Sequence, residues 1–139
     1  MSKLDGHCMC GAVSYTSEAD PVFVGVCHCK DCQRQTGAAH SVVVGVPGDQ
    51  VQVSGANSMK TWVTVGEDHG TDVQRHFCGE CGSPIYTENQ VVPGVFIIKG
   101  GTLDDTSWLQ PQIEIWGKSA QPWVETHETR PRLPRGAGG

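Results

Sequence analysis

The fold is decided by two short stretches that lie far apart in the chain, Cys8-Met9-Cys10-Gly11 and Cys78-Gly79-Glu80-Cys81-Gly82. Cysteines two or three positions apart bring their sulfurs close enough to share one metal ion. Sixty-seven residues separate Cys10 from Cys78, so an ion bound across both stretches ties the first strand to the second half of the chain. The spacing therefore predicts a closed, structural zinc site with four ligands, Cys8, Cys10, Cys78 and Cys81.

The other three cysteines form a separate cluster within the stretch Cys27-His28-Cys29-Lys30-Asp31-Cys32. Three thiolates leave one corner of a tetrahedron free for water or substrate, which is typical of a catalytic zinc site. A thiol that binds such a position becomes a thiolate and a good nucleophile at neutral pH. The triplet Cys27, Cys29 and Cys32 therefore favours chemistry that makes or breaks carbon–sulfur bonds.

The histidines allow two interpretations of the metal site at this cluster. His28 stands between two ligands, so we expect its side chain to point away from the metal and to act through hydrogen bonds. A distant side chain could instead complete a second structural site, and the candidates are His40, His69, His76 and His127.

Other uses of seven cysteines fit less well. Disulfides need an oxidising compartment and an even count, and a Cys-x-Cys bridge is strained. The spacings of ferredoxin clusters are absent, although four thiolates are available. Buried free cysteines are common in cores, but packing does not produce three tight clusters.

Composition limits the class of protein. The 139 residues correspond to one domain, for which we predict residues 1–127 as the zinc-binding unit and residues 128–139 as a flexible, solvated tail rich in proline, glycine and arginine. A net charge of −5 argues against nucleic-acid binding, and no apolar run is long enough for a membrane span. The first residues do not resemble a signal peptide, so we expect a cytoplasmic protein.

Short apolar or alternating segments with β-branched residues predict a mainly β fold. The predicted strands are 12–16, 22–26, 41–46, 51–54, 60–65, 73–77, 84–87, 95–99 and 112–116. The segment 30–36 has few strand formers and is followed by Gly37, which predicts a short helix with a left-handed C-cap. Cys29 and Cys32 then lie on one face of that helix.

The three cysteine motifs, with their flanks, resemble those of the glutathione-dependent formaldehyde-activating enzyme family, which also includes centromere protein V. The matching stretches are Gly6–Tyr15, Cys27–Gly37 and Phe77–Pro84, followed by Gly101-Thr-Leu-Asp-Asp105 and the segment to Trp123. The resemblance implies an Mss4-like β-tent, in which small antiparallel sheets join around zinc. It also implies the same division of ligands into a structural site and a catalytic one.

The family's named activity implies condensation of glutathione with formaldehyde, formally a carbon–sulfur lyase reaction in reverse. The expected partners are thus a small-molecule thiol and an aldehyde. His28 and Thr36 are the nearest candidates for a proton donor, and Lys30 and Arg34 for contact with a substrate carboxylate.

One position departs from the family pattern. Many relatives carry a histidine three residues after a proline in the C-terminal motif, and this chain has Glu114 after Pro111. A carboxylate near an anionic tripeptide is unfavourable unless it faces the peptide's amine or lies elsewhere. Glu114 therefore argues against glutathione as the substrate more than it argues against zinc chemistry at the triplet.

Two other functions are compatible with the sequence. The Mss4-like fold also serves as a non-catalytic zinc scaffold in a nucleotide-exchange chaperone. Nucleic-acid binding would follow from the centromere relative, but the acidic charge opposes it. An open three-cysteine site favours the enzyme, since a scaffold has no need of a vacant metal position.

Overall fold

A computed structural model describes residues 3–125 and 127–136 of the chain. Ten strands and one α-helix account for its regular structure apart from short 3₁₀ turns. The strands are β1 Leu4–His7, β2 Ser14–Ser17, β3 Phe23–Cys27, β4 Ser41–Pro47, β5 Val51–Ser54, β6 Met59–Val65, β7 Asp72–Cys78, β8 Pro84–Asn89, β9 Val95–Lys99 and β10 Ile113–Ile115. The helix α1 spans Lys30–Thr36. The predicted mainly β fold with one short helix is confirmed.

The strands form two sheets. One has three strands in the order β1-β2-β5, and the other has seven in the order β10-β3-β4-β9-β8-β7-β6. Neighbours are antiparallel except β10, which runs parallel to β3 and places Glu114 opposite Val26. This parallel pair forms one edge of the larger sheet and places Ile115 beside Cys27 at the end of β3.

Residue patterns explain where each sheet is buried. The central strands β3 and β4 read as continuous valine-rich runs, as expected for strands covered on both faces. The main core packs side chains from both sheets, among them Val13, Tyr15, Val44, Ile85 and Ile98. A smaller cluster consists of Cys27, Cys32 and Val43, with Phe23, Ile97, Ile115 and Trp116 packed against it.

Helix α1 begins and ends as the sequence predicts. Cys29 is its N-cap, and its sulfur accepts a hydrogen bond from the Cys32 amide at 3.3 Å. Gly37 ends the helix in the left-handed region with φ 68°, and its amide donates to the Gln33 carbonyl at 2.8 Å. The helix thus has both ends fixed, with two of the three cysteines in its first turn.

The strand predictions missed β1. No residue of Leu4–His7 is a strong strand former, but Leu4 is buried and pairs opposite Ser17. The predicted strand at 12–16 begins instead at Ser14, because the backbone up to residue 13 is used for a turn around Cys8. Tertiary pairing overrides local propensity at both places.

The C-terminal segment differs from the expected solvated tail. Arg130 and Arg132 bond to the carboxylate of Glu114, and backbone hydrogen bonds join residues 131–135 to residues 114–118. The proposed domain boundary at residue 127 stays a prediction. No helix among the described residues is long and apolar enough to cross a membrane.

Candidate metal centres

The stretches Cys8–Gly11 and Cys78–Gly82 meet in space. The sulfurs of Cys8, Cys10, Cys78 and Cys81 all lie within 4.8 Å of one another. Cys8 and Cys78 are fully buried, whereas Cys10 is exposed. The fold thus brings together all four predicted ligands of the structural site.

Both stretches form similar turns. The amide of Cys8 bonds to the Val13 carbonyl at 2.9 Å, and that of Cys78 bonds to the Ser83 carbonyl at 2.8 Å. Amides of Val13 and Glu80 point at sulfur, at 3.3 and 3.4 Å. Hydrogen bonds from the side chain and backbone of Ser83 lower the pKa of Cys81 to about 5. These donors therefore favour the thiolate form of Cys81, whereas at Cys10 the lowering by the Ala12 amide is outweighed by burial and the neighbouring sulfurs, which raise its pKa to about 12.

The sulfur–sulfur distances fit a single zinc ion. Cys10 lies 3.7 Å from Cys8 and 3.8 Å from Cys78, measured between sulfurs. A tetrahedron with Zn–S bonds of ~2.3 Å has edges of about 3.8 Å. A disulfide needs about 2.05 Å, and a multi-iron cluster holds its thiolates further apart. All seven cysteines, which lie within the described residues, are free of disulfides.

The predicted catalytic triplet also forms one cluster. The sulfurs of Cys27, Cys29 and Cys32 lie within 4.8 Å of one another, and no fourth side chain of the described residues joins them as a potential ligand. Thiols at this spacing compete for protons. Hydrogen bonds from Cys27 and Cys29 hold the pKa of Cys32 well below its usual range, and the charges of Lys99 and Arg75 act in the same direction.

The triplet opens into a cavity of about 280 Å³. Its lining residues come from strands β3, β4 and β6 to β10, from the start of α1 and from the turn after β6. Trp116 and Ser119, just beyond β10, complete the wall beside Cys27. A cavity with mixed apolar and charged lining beside three thiolates is suited to a small polar ligand.

Two cations in this cavity were missed by sequence reasoning. Arg75 and Lys99 are only 8% and 5% exposed, and both line the cavity. Arg75 donates to the Gln35 side chain at 2.9 Å and lies 3.8 Å from the Cys32 sulfur. Lys99 donates to the Ser41 hydroxyl at 3.0 Å. Alternation along β7 assigns Arg75 to the buried face, which was a usable signal, whereas β9 is apolar on both faces and gives no such signal for Lys99.

His28 lies outside the cavity lining and is fully buried. Its Nε2 lies 2.6 Å from the Glu114 carboxylate, while its Nδ1 has no partner among the described residues. Burial would raise the pKa of Glu114, but hydrogen bonds from His28, Arg130 and Arg132 outweigh it and hold that pKa at about 2. Glu114 therefore faces the protein interior as a carboxylate.

The remaining candidates are spread over the fold. Thr36 donates its hydroxyl to the Cys32 carbonyl at 2.9 Å, and Lys30 lines the cavity at its rim. Arg34 is exposed on α1 and lies outside the cavity lining. The four histidines considered as ligands stand apart from the triplet sulfurs: His40 contacts the His28 ring, His69 lines the cavity, His76 bonds to Thr61 and Glu88, and His127 bonds to Thr129.

Fold and site together define a mainly β protein with two cysteine clusters that could each hold a zinc ion, one closed and one open to a cavity. A model of the family "Glutathione-dependent formaldehyde-activating enzyme" matches residues 3–119. The chain belongs to this family.

Individual relatives are more distant. Proteins named "Putative glutathione-dependent formaldehyde-activating enzyme" from Talaromyces marneffei and Phaeosphaeria nodorum are 28% and 29% identical over 114 residues. These matches cover 80% of this chain but only 59% and 58% of the relatives, so the chain spans less than two thirds of their length. A crystal structure of a Rhodobacter sphaeroides protein matches 72% of this chain and 87% of its own, with a TM-score of 0.57 and 19% identity, which supports the fold.

Proposed function

We propose that this protein catalyses the reversible addition of a thiol to an aldehyde, with glutathione and formaldehyde as the substrate pair and zinc at both cysteine clusters. The observation that carries the proposal is the triplet of sulfurs at a cavity that holds two buried cations. The names of the relatives supply the substrate pair. In classification terms this is a carbon–sulfur lyase.

Charge in the cavity favours an anionic fourth ligand. Zinc bound to the triplet would hold the substrate sulfur as a thiolate, the form that attacks a carbonyl carbon. One zinc ion leaves three thiolates with a single excess negative charge, whereas Arg75 and Lys99 supply two positive charges. Lys30 and Asp31 at the rim offset each other, and the Glu67 carboxylate, which also lines the cavity, is paired with Lys118 at 2.8 Å. The remaining positive charge suits an incoming thiolate better than a neutral ligand.

Lys99 is the group we assign to proton transfer. The C–S bond forms as the carbonyl π pair moves to oxygen, and the developing alkoxide takes a proton from the Lys99 ammonium. The thiol releases its proton to solvent as it ionises, and Lys99 takes a proton back from solvent after it has protonated the alkoxide, so the cycle balances. Its ammonium makes one hydrogen bond, to Ser41, and has donors left for the cavity. His28 and Thr36 face other partners, so we give them positioning roles.

The test is exchange spectroscopy between formaldehyde and glutathione with zinc-loaded protein, with the uncatalysed rate measured alongside. Cys29→Ser should reduce the rate to background while the four-cysteine site stays loaded. Lys99→Met should lower the catalysed rate by about 100-fold or more, whereas Lys3→Met, an exposed control, should not. Lys99→Arg keeps the charge without an easily transferred proton, so it should bind thiol but react slowly.

The results of this experiment distinguish between the alternatives. If wild-type protein leaves exchange at background but binds glutathione at the triplet, formaldehyde is the wrong electrophile. If it binds no thiol, the scaffold function is favoured instead. If Lys99→Met reacts like wild type, another group transfers the proton.

A further inference from the structure

The side chain of Glu114 is the most deeply buried acidic group in the described residues, only 1% exposed. Three cationic or polar groups surround its carboxylate. Oε1 lies 2.6 Å from His28 Nε2 and 2.9 Å from Arg132 Nε, and Oε2 lies 2.8 Å from Arg130 Nε. A carboxylate in such a place is tolerated only because these partners compensate for the water it has lost.

Both arginines come from a segment that adds itself to the edge of the larger sheet. The amide of Glu114 donates to the Pro131 carbonyl at 2.9 Å, and the Leu133 amide donates back to Glu114 at 2.8 Å. The ladder continues from Trp116 to Arg135 at 3.1 Å. Residues 130–135, which we call the strap, thus cover the free edge of β10 in parallel register.

The strap lies outside the part of the chain that the family model matches, which ends at residue 119. The strap is connected to two separate parts of the cavity lining. The segment that it holds, residues 114–118, contains the cavity-lining residues Ile115 and Trp116. At its far end Arg135 forms an ion pair with Asp68, in the turn whose neighbours Glu67 and His69 also line the cavity.

A second chain of contacts leads from Glu114 to the triplet. His28 stands between Cys27 and Cys29, and its amide donates to the Ile115 carbonyl at 3.0 Å. Gln33 of α1 donates to the carbonyls of His28 and Ser119, at 2.6 and 2.9 Å. Because His28 has its ring held by Glu114 and its backbone held by β10 and α1, the position of the triplet depends on the place of Glu114.

We propose that the strap is a positioning element, which acts through the buried Glu114 and His28 to fix the three sulfurs and the adjoining cavity wall. Neither Arg130 nor Arg132 contacts a sulfur, so both are positioning residues. The arrangement concerns how a metal is held at the triplet and is independent of the substrate.

The test compares four full-length proteins: wild type, Glu114→Gln, the double variant Arg130→Gln/Arg132→Gln, and the triple variant. Each is loaded with zinc, challenged with a chelator and pulsed with an alkylating reagent, and each cysteine is followed by peptide mass spectrometry. Glu128→Gln and Arg34→Gln are matched controls, because both remove an exposed charge outside the network.

Loss of either side of the network leaves charge in a buried or partly buried place with fewer partners: Glu114 keeps only His28 in the double arginine variant, and Arg130 and Arg132 lose the carboxylate in Glu114→Gln. We expect Glu114→Gln and the double arginine variant each to speed alkylation of the triplet cysteines at least about tenfold, equivalent to about 1.4 kcal/mol of opening free energy. The triple variant carries only neutral amides and should lie closer to wild type than either. Alkylation of the four-cysteine site should not change.

Three results would overturn the proposal: unchanged triplet rates, equal acceleration at both sites, or effects that simply add in the triple variant. A wild-type protein that holds one zinc would refute the metal assignment of the triplet and not the strap, since alkylation of the free thiols still reports their opening. The two proposals are therefore tested by different measurements: alkylation rates test the role of the strap, and exchange spectroscopy tests the proposed function.

Discussion

Replacement of Cys10 by serine isolates the contribution of the metal clip to stability. Cys10 is exposed, so the change from sulfur to oxygen leaves no cavity in the core, unlike a change at the buried Cys8 or Cys78. What it removes is one of the four ligands that join the two ends of a long loop. The expected loss is therefore chain entropy and metal affinity, with little packing change.

The magnitude follows from the loop. By the loop-closure relation used for cross-links, a closure of about 70 residues is worth about 4 kcal/mol at 25 °C. For a domain of this size that corresponds to a fall in Tm of about 12–16 °C. Calorimetry and native mass spectrometry on zinc-loaded protein measure the two expected changes, the lower Tm and the loss of one zinc ion.

The control is Met9→Ser, which alters the neighbouring side chain, 82% exposed, and leaves every sulfur in place. Cys29→Ser provides a second comparison, since it removes a ligand of the other cluster. A Cys10→Ser protein that keeps both zinc ions and melts within about 2 °C of wild type would refute the clip, because that shift corresponds to less than about 1 kcal/mol.

Three further predictions test other parts of the structure. Gly55→Ala should destabilise the protein by several kcal/mol in denaturant unfolding, because its Cβ would lie 1.8 Å from the Ala12 carbonyl at φ 79°; Gly11→Ala, at φ 81° with open space, should cost only about 1 kcal/mol. The pKa of Glu114 falls from 4.5 to about 2 on folding, so its contribution of about 3 kcal/mol is fully present above about pH 5 and is lost as the pH falls towards 2. The unfolding free-energy difference between wild type and Glu114→Gln should therefore be constant from about pH 6 to 8 and shrink below about pH 4.5; a difference that grows with acid would contradict this sign. Graded chelation should remove the triplet zinc before the four-cysteine zinc while circular dichroism still reports a folded protein, and simultaneous loss with unfolding would count against two distinct sites.

The spacing of the cysteines predicted most of the candidate site. Ligands of one ion have to lie close together, so the division of seven cysteines into four and three restricts the topology before any strand is assigned. The structure places the sulfurs of each group within 4.8 Å, as the spacing required. Helix α1 was also predictable, because its N-cap and its glycine C-cap are both local signals.

The charged residues of the cavity were less predictable for a physical reason. Arg75 and Lys99 lie on strands, and a strand pattern tells which face a side chain occupies but not what the opposite sheet or helix brings to that face. Only the complete sheet order shows that β7 and β9 converge on the triplet. Likewise, the sequence of the strap reads as a solvated tail, since nothing local reveals that Glu114 needs two arginines.

The burial of Glu114 also removes an argument against glutathione. A carboxylate at this position would repel an anionic peptide if it faced the cavity. Instead it is enclosed by His28, Arg130 and Arg132, and its partners more than balance its charge. The buried charges that line the cavity beside the sulfurs are those of Arg75 and Lys99. On the roles proposed above, the departure from the family pattern would change how the triplet is held and leave in place the cavity charges that suit a thiolate.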